Sequence, residues 1–376
     1  ELNRISGKKL SIGGNVSGIY NGDIFVNGVT LPSFTGGVAL EVGTHVSGSK
    51  GAIVFQADSS FSSLEAKAIN GITLDANVDI VTTTGALSLN GDTDSAIDSI
   101  DPNDKISFAS GATLTSATSI SLSSITGGMT ASADLTVTAP NSITMTGNLT
   151  AAGAVAMTAN SGINLNGDIS TSSGSLNINA NSSVLTLEDN ISLSSTNALT
   201  LSASNTSSNG NLVLTSTGST INVDNALVSG GNLTITANSG LILSNSALTA
   251  TGNINLQGGT SLSLASGMNI SGANITLGGS SITVNNGGLT LNSAGSININ
   301  NSLTSLTTAD FTSNSGITMA GLTANETVNL NSGTGSTTIS GALSTNNKAL
   351  SINASDLILT GSINTGTSET TLNVTN

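Results

Sequence analysis

The chain has 376 residues and a formal charge of −14, with 7 basic against 21 acidic residues; only 7% of it is charged and 2% aromatic. An ordinary globular protein is about 25% charged. With no positive charge between Lys105 and Lys348, a phosphate-tracking groove is excluded there, and an anionic membrane surface is disfavoured as a partner.

Disorder is the first alternative for a chain dominated by Gly, Ser, Thr and Asn. Disordered tracts lack regularly placed aliphatic residues, whereas Leu, Ile and Val recur here throughout. The chain therefore reads as ordered. It contains no Cys, and no run of apolar residues is long enough for a membrane helix. It begins at Glu1 with neither Met nor a signal peptide, as expected of a processed form or a segment of something longer.

Residues 1–125 hold nearly all the bases, the only Tyr (Tyr20), the only His (His45) and five of the six Phe: Phe25, Phe34, Phe55, Phe61 and Phe108. Apolar pairs spaced by two, Leu10/Ile12, Ile24/Val26, Ile53/Phe55, Ile72/Leu74 and Leu87/Leu89, predict short strands. We read this region as less regular coils of a β-helix, with an acidic loop over 92–105.

From 126 to 376 the pattern becomes regular. A small residue or Asn precedes a phrase such as Leu233-Thr234-Ile235-Thr236, and Leu212, Leu233, Ile254 and Ile275 follow at intervals of 21 residues. First strands are anchored at Leu135, Val155, Leu176, Leu212, Leu233, Ile254 and Ile275. Second strands run through Ile143, Ile163, Leu185, Ile221, Leu241, Leu262 and Ile282. Third strands lie near Leu149, Ile169, Ile191, Leu227, Leu248 and Ile270. The fold class this predicts is all-β: a right-handed parallel β-helix with three short strands per coil of about 21 residues. At the spacing of stacked strands, the length corresponds to about 17 or 18 coils and a rod of roughly 85 Å. Irregular coils are expected at Ser204–Gly210 and Gly278–Gly288, where the interval changes. Aromatic side chains are expected to be too bulky for the narrow interior. Corner asparagines such as Asn160, Asn238 and Asn253 are expected to stack into amide ladders.

Asp92, Asp94, Asp98, Asp101 and Asp104 form the one acidic cluster. Closely spaced oxygen ligands suit Ca²⁺, although the spacing fits neither an EF-hand nor the nonapeptide of calcium-loaded β-rolls; a merely solvated loop is the alternative. Without Cys and with one His, zinc sets and Cys-His pairs are impossible. The carboxylates of the regular region, Asp134, Asp168, Glu188, Asp189, Asp224, Asp310 and Glu326, are scattered over different strand types and are expected to lack basic partners, so no catalytic residue is assigned. Outward Thr residues (Thr136, Thr138, Thr144, Thr146, Thr234, Thr236) evoke an ice-binding face, but Asn177, Val213, Asn255 and Asn298 break the rank. Asn-x-Ser/Thr triplets at Asn190, Asn232 and Asn274 are expected by chance in this composition.

The units Gly231–Leu243 and Gly174–Ala180 resemble the repeats of filamentous-haemagglutinin-like exoproteins of Gram-negative bacteria, the large β-helical adhesins exported by two-partner secretion. Asn3-Arg4-Ile5 and residues 21–29 are faintly similar to that family's secretion domain, although its Asn-Pro-Asn-Gly turn here reads Val26-Asn27-Gly28. The resemblance implies a secreted or cell-surface rod used in adhesion, aggregation or matrix building. Our expectation is a non-catalytic adhesive or structural protein without a cofactor, associating with itself end to end as a filament, possible matrix or host glycans aside. The alternative is a carbohydrate-binding or carbohydrate-active β-helix, for which Tyr20, Phe25 and Phe34 are the only aromatic cluster.

Overall fold

A computed structural model describes residues 5–14, 22–43, 51–95, 103–244 and 247–375. Every regular element in it is a β-strand, and the strands are joined in parallel. The expected β-solenoid, with about 15 turns in all, is what the chain forms. It divides into two compact units: Glu1–Glu188 with Ser192–Thr196, and Asp189–Ile191 with Asn197–Asn376.

Within the first unit, each strand pairs with the strand three places further along the chain. Leu135–Ala139 lies on Val155–Ala159, Ile143–Thr146 on Ile163–Asn166, and Leu149–Ala151 on Ile169–Thr171. The second unit repeats the scheme, except that the long strands Ile282–Ser293 and Leu303–Ser313 each occupy two places. Leu212, Leu233, Ile254 and Ile275 form one column in strict register. Alternation dictates the packing: Leu233, Ile235 and Ala237 are buried and Thr234 and Thr236 are not. Along that column each inward aliphatic residue thus meets its counterpart in the neighbouring turn.

The turns are fewer than expected because several early ones are long. Contacts between consecutive turns link residues 29 apart at Asp23/Ala52, 21 apart at Asp58/Asp79, 34 apart at Asp79/Thr113 and 20 apart at Asp134/Ala154. The strands on either side of residue 125 belong to one set of ladders, with Ile106–Phe108 paired to Met129–Ala131 and Ile120–Ser123 to Ile143–Thr146.

Two sequence expectations need correction. Residues 204–210 are not an irregular coil: Leu199–Ser202 pairs with Ile221–Val223, and Asn205–Ser208 with Ala226–Ser229. Counting strands in threes along the chain, the series begun by Leu212 therefore falls one place out of step with the series begun by Leu135. The strand Asn205–Ser208 carries no aliphatic residue, but Thr206 and Ser208 point inward and are buried. Thr206 Oγ1 accepts a hydrogen bond from the buried Nδ2 of Asn225. Aromatic rings also fit the interior. Phe34, Phe55, Phe61, Phe108 and Phe311 are all buried. Each of several rings lies beside smaller partners, as Phe108 between Leu74 and Ala131, or Phe61 between Leu31 and Thr82. The expectation for 278–288 holds: Ile282–Ser293 is one long strand with register shifts around Gly287.

Corners are closed by hydroxyls at strand ends. Thr82, Thr171, Ser229, Ser293 and Ser332 turn inward, and each donates to the carbonyl oxygen three residues ahead, at 2.6–3.1 Å. Such a bond satisfies an inward hydroxyl and ties the bend to the strand end that precedes it.

Candidate functional site

The acidic loop supplies the one group of potential metal ligands among the described residues. Its framework is a corner of the first unit. Strand Leu87–Asn90 leads to Gly91, whose amide donates to Ser123 O at 3.0 Å, and then to Asp92. The Asp92 amide donates back to Asn90 Oδ1 at 3.1 Å. From the following turn, Thr126 presents both its amide (2.7 Å) and its hydroxyl (2.5 Å) to Asp92 Oδ2. Asp104 arrives from the other end of the loop, just before strand Ile106–Phe108, and its carbonyl accepts the Ser124 hydroxyl at 2.8 Å. Gly127 permits this close approach: a Cβ there would stand 1.7 Å from Asp104 O.

This corner brings one carboxylate oxygen from each of Asp92, Asp94 and Asp104 within 4.8 Å of one another. Asp92 and Asp104 are each only 2% exposed, whereas Asp94 is exposed. Two like charges at that distance repel by about 3 kcal/mol at an effective dielectric constant of 20. Oδ1 of Asp92 is shielded from solvent and receives no hydrogen bond. The set has the chemistry to hold a hard cation. The other two aspartates of the predicted cluster, Asp98 and Asp101, lie outside the described residues, as does His45.

Five other carboxylates are engaged by the fold. Oδ1 of Asp23, Asp58, Asp79, Asp134 and Asp168 each accepts a backbone amide from the next turn, at 2.7–2.9 Å. In the second unit amides take over the task. Asn190 Oδ1 accepts Asn211 Nδ2 at 2.7 Å, and Asn211 Oδ1 accepts Asn232 N at 2.7 Å. Asn232 Oδ1 accepts Asn253 N at 2.8 Å, and Asn253 Oδ1 accepts Asn274 Nδ2 at 2.7 Å. The expected amide ladder is therefore present at Asn253, and Asn160 joins a similar pair with Asn181 Nδ2 at 2.6 Å. Asn238 enters through its backbone, its amide donating to Ser216 O at 2.9 Å. One carboxylate departs from expectation: Glu326 has a basic partner, Lys348, at 3.1 Å, both side chains being about half exposed.

Of the aromatic cluster considered for sugar binding, the two described members are not both presented to solvent. Phe34 is core at 2% exposure, Phe25 is 61% exposed, and Tyr20 lies outside the described residues. Outward positions along the Leu233 ladder read Val213, Thr234, Asn255, Thr276 and Asn298, so no continuous Thr rank exists there. No helix long and apolar enough to cross a membrane occurs among the described residues. No protein-family model, curated protein or solved structure matches this chain.

Sequence spacing alone marked the three aspartates. It missed Thr126, which holds Asp92, and Gly127, which lets Asp104 approach. The signal available was the run Thr126-Gly127-Gly128, separated by two residues from the alternating strand Ile120–Ser123.

Proposed function

We propose that this protein is a non-catalytic scaffold of the cell exterior, secreted or surface-bound, adhesive or structural in role, that joins end to end with further copies as a filament or matrix fibre. The observation carrying this reading is where the polar side chains direct their bonds. Corner Asp and Asn residues, which an enzyme of this architecture would turn toward a substrate, bind the adjacent turn instead. The resemblance of the repeats to two-partner-secretion exoproteins supports the extracellular placement.

Self-association is supported by the strand Thr370–Val374. It pairs with Leu350–Ala354 on one side, and its inward residues Leu372 and Val374 remain 46% and 40% exposed. Apolar side chains exposed in register with a buried column favour packing against another copy. Electron microscopy and sedimentation velocity over a range of protein concentrations test the reading. Growing linear assemblies are expected, and replacing Leu372 and Val374 by Lys should disperse them while the circular dichroism stays that of β-structure. Monomers persisting at high concentration would refute self-assembly. Release of reducing sugar from a glycan substrate would refute the non-catalytic role.

A further inference from the structure

We infer that Asp92, Asp94 and Asp104 bind one Ca²⁺ ion. Calcium–oxygen distances are about 2.3–2.6 Å, so two oxygens on one ion are separated by at most about 5 Å. The three carboxylate oxygens, all within 4.8 Å of one another, fit inside a single such shell. The second observation is independent of the clustering. Asp92 is 2% exposed, its Oδ2 accepts two hydrogen bonds from Thr126, and its Oδ1 is enclosed without any donor. A carboxylate oxygen removed from water without a donor is costly, and a bound cation removes that cost.

The identity of the ion follows from the donors. A chain with no Cys and a single His offers nothing to soft or borderline metals at a corner built of carboxylates. Magnesium demands a near-ideal octahedron and keeps most of its water, whereas calcium accepts several carboxylates in irregular geometry. Two buried ligands with a third exposed leave the outer hemisphere to water, an arrangement calcium tolerates. Asp92 and Asp94 lie before the long loop and Asp104 after it, so the ion ties the two ends of that loop to the corner where Thr126 and Ser124 already hold them.

Isothermal titration of the full chain, stripped of metal by chelator and titrated with CaCl₂ or MgCl₂ in physiological salt, tests this. One Ca²⁺ per chain is expected, bound at least tenfold more tightly than Mg²⁺. Asp92→Asn and Asp104→Asn should each weaken calcium binding by thirtyfold or more, and Asp94→Asn by about tenfold. Asp134→Asn, at a corner elsewhere in the first unit, should leave affinity unchanged. Circular dichroism establishes that each variant is folded. If either buried variant fails to fold, exposed Asp94→Asn decides alone. Absence of calcium binding, magnesium binding as tight as calcium, or Asp94→Asn with wild-type affinity would each overturn the assignment.

Discussion

The strand Asn205–Ser208 provides the sharpest test of how this interior is built. Thr206 is fully buried, and its Oγ1 is the acceptor for Nδ2 of Asn225, itself 3% exposed. Thr206→Val preserves shape but removes the acceptor, leaving a buried amide donor. A stranded donor of this kind costs about 1–3 kcal/mol. Adding Asn225→Leu removes the stranded donor, so the double variant should recover part of that loss. Because the chain has no Trp, urea unfolding is best followed by far-ultraviolet circular dichroism. Hydrogen exchange at residues 205–208 and 226–229 would localise the effect. If Thr206→Val is as stable as the parent, or the double variant is no better than the single one, the buried polar pair is not a stabilising unit and the reasoning fails.

Other outcomes follow from the same packing. Leu256→Ala, fully buried between Ile235 and Leu277, should cost about 2–5 kcal/mol in urea unfolding, through lost burial and the cavity left behind. Gly147 has φ of +101°, and a Cβ there would stand 1.8 Å from Ser124 O; Gly147→Ala should therefore destabilise by about 1–3 kcal/mol or block folding, read by circular dichroism and expression in soluble form. Asn232→Ala removes the acceptor for the Asn253 amide and should cost about 1 kcal/mol, whereas Asn232→Asp, which keeps the oxygen, should cost less. A hydrogen bond from Lys67 to Glu65 raises the lysine pKa above its ordinary 10.5, against the opposing effect of burial. A raised folded-state value contributes stability in full below the unfolded value and loses it as pH climbs through the folded one. The melting temperature should thus fall more steeply above about pH 10.5 in the parent than in Lys67→Met.

What could be read in the sequence was whatever repeats through apolar side chains. Period-two alternation located the strands of Leu135–Ala139 or Leu233–Ala237, because inward positions there are almost all aliphatic. Asn205–Ser208 escaped since its inward residues are Thr and Ser, chemically indistinguishable in sequence from outward ones; only burial reveals them. The buried phenylalanines were misjudged for a related reason: whether a ring fits depends on what stacks above and below, as Ala131 does beside Phe108, and that neighbour lies a full turn away. At the acidic corner, Asp92, Asp94 and Asp104 stood out by charge in a nearly uncharged chain. Thr126 is one hydroxyl among a great many, and nothing local distinguishes it.

The long interval between Asp79 and Thr113 has a consequence for engineering. Thirteen or so residues beyond an ordinary turn of about 21 are inserted there, yet Ile72 still stacks on Ile106 and Phe108 on Leu74 in unbroken register. Bends therefore accept cargo of considerable length, while an insertion of one residue within a strand would send every following side chain to the opposite side. A peptide tag, an epitope or an enzyme grafted between Asp94 and Asp104 should be carried without disturbing the body that displays it, and copies of the display could be multiplied by duplicating whole turns.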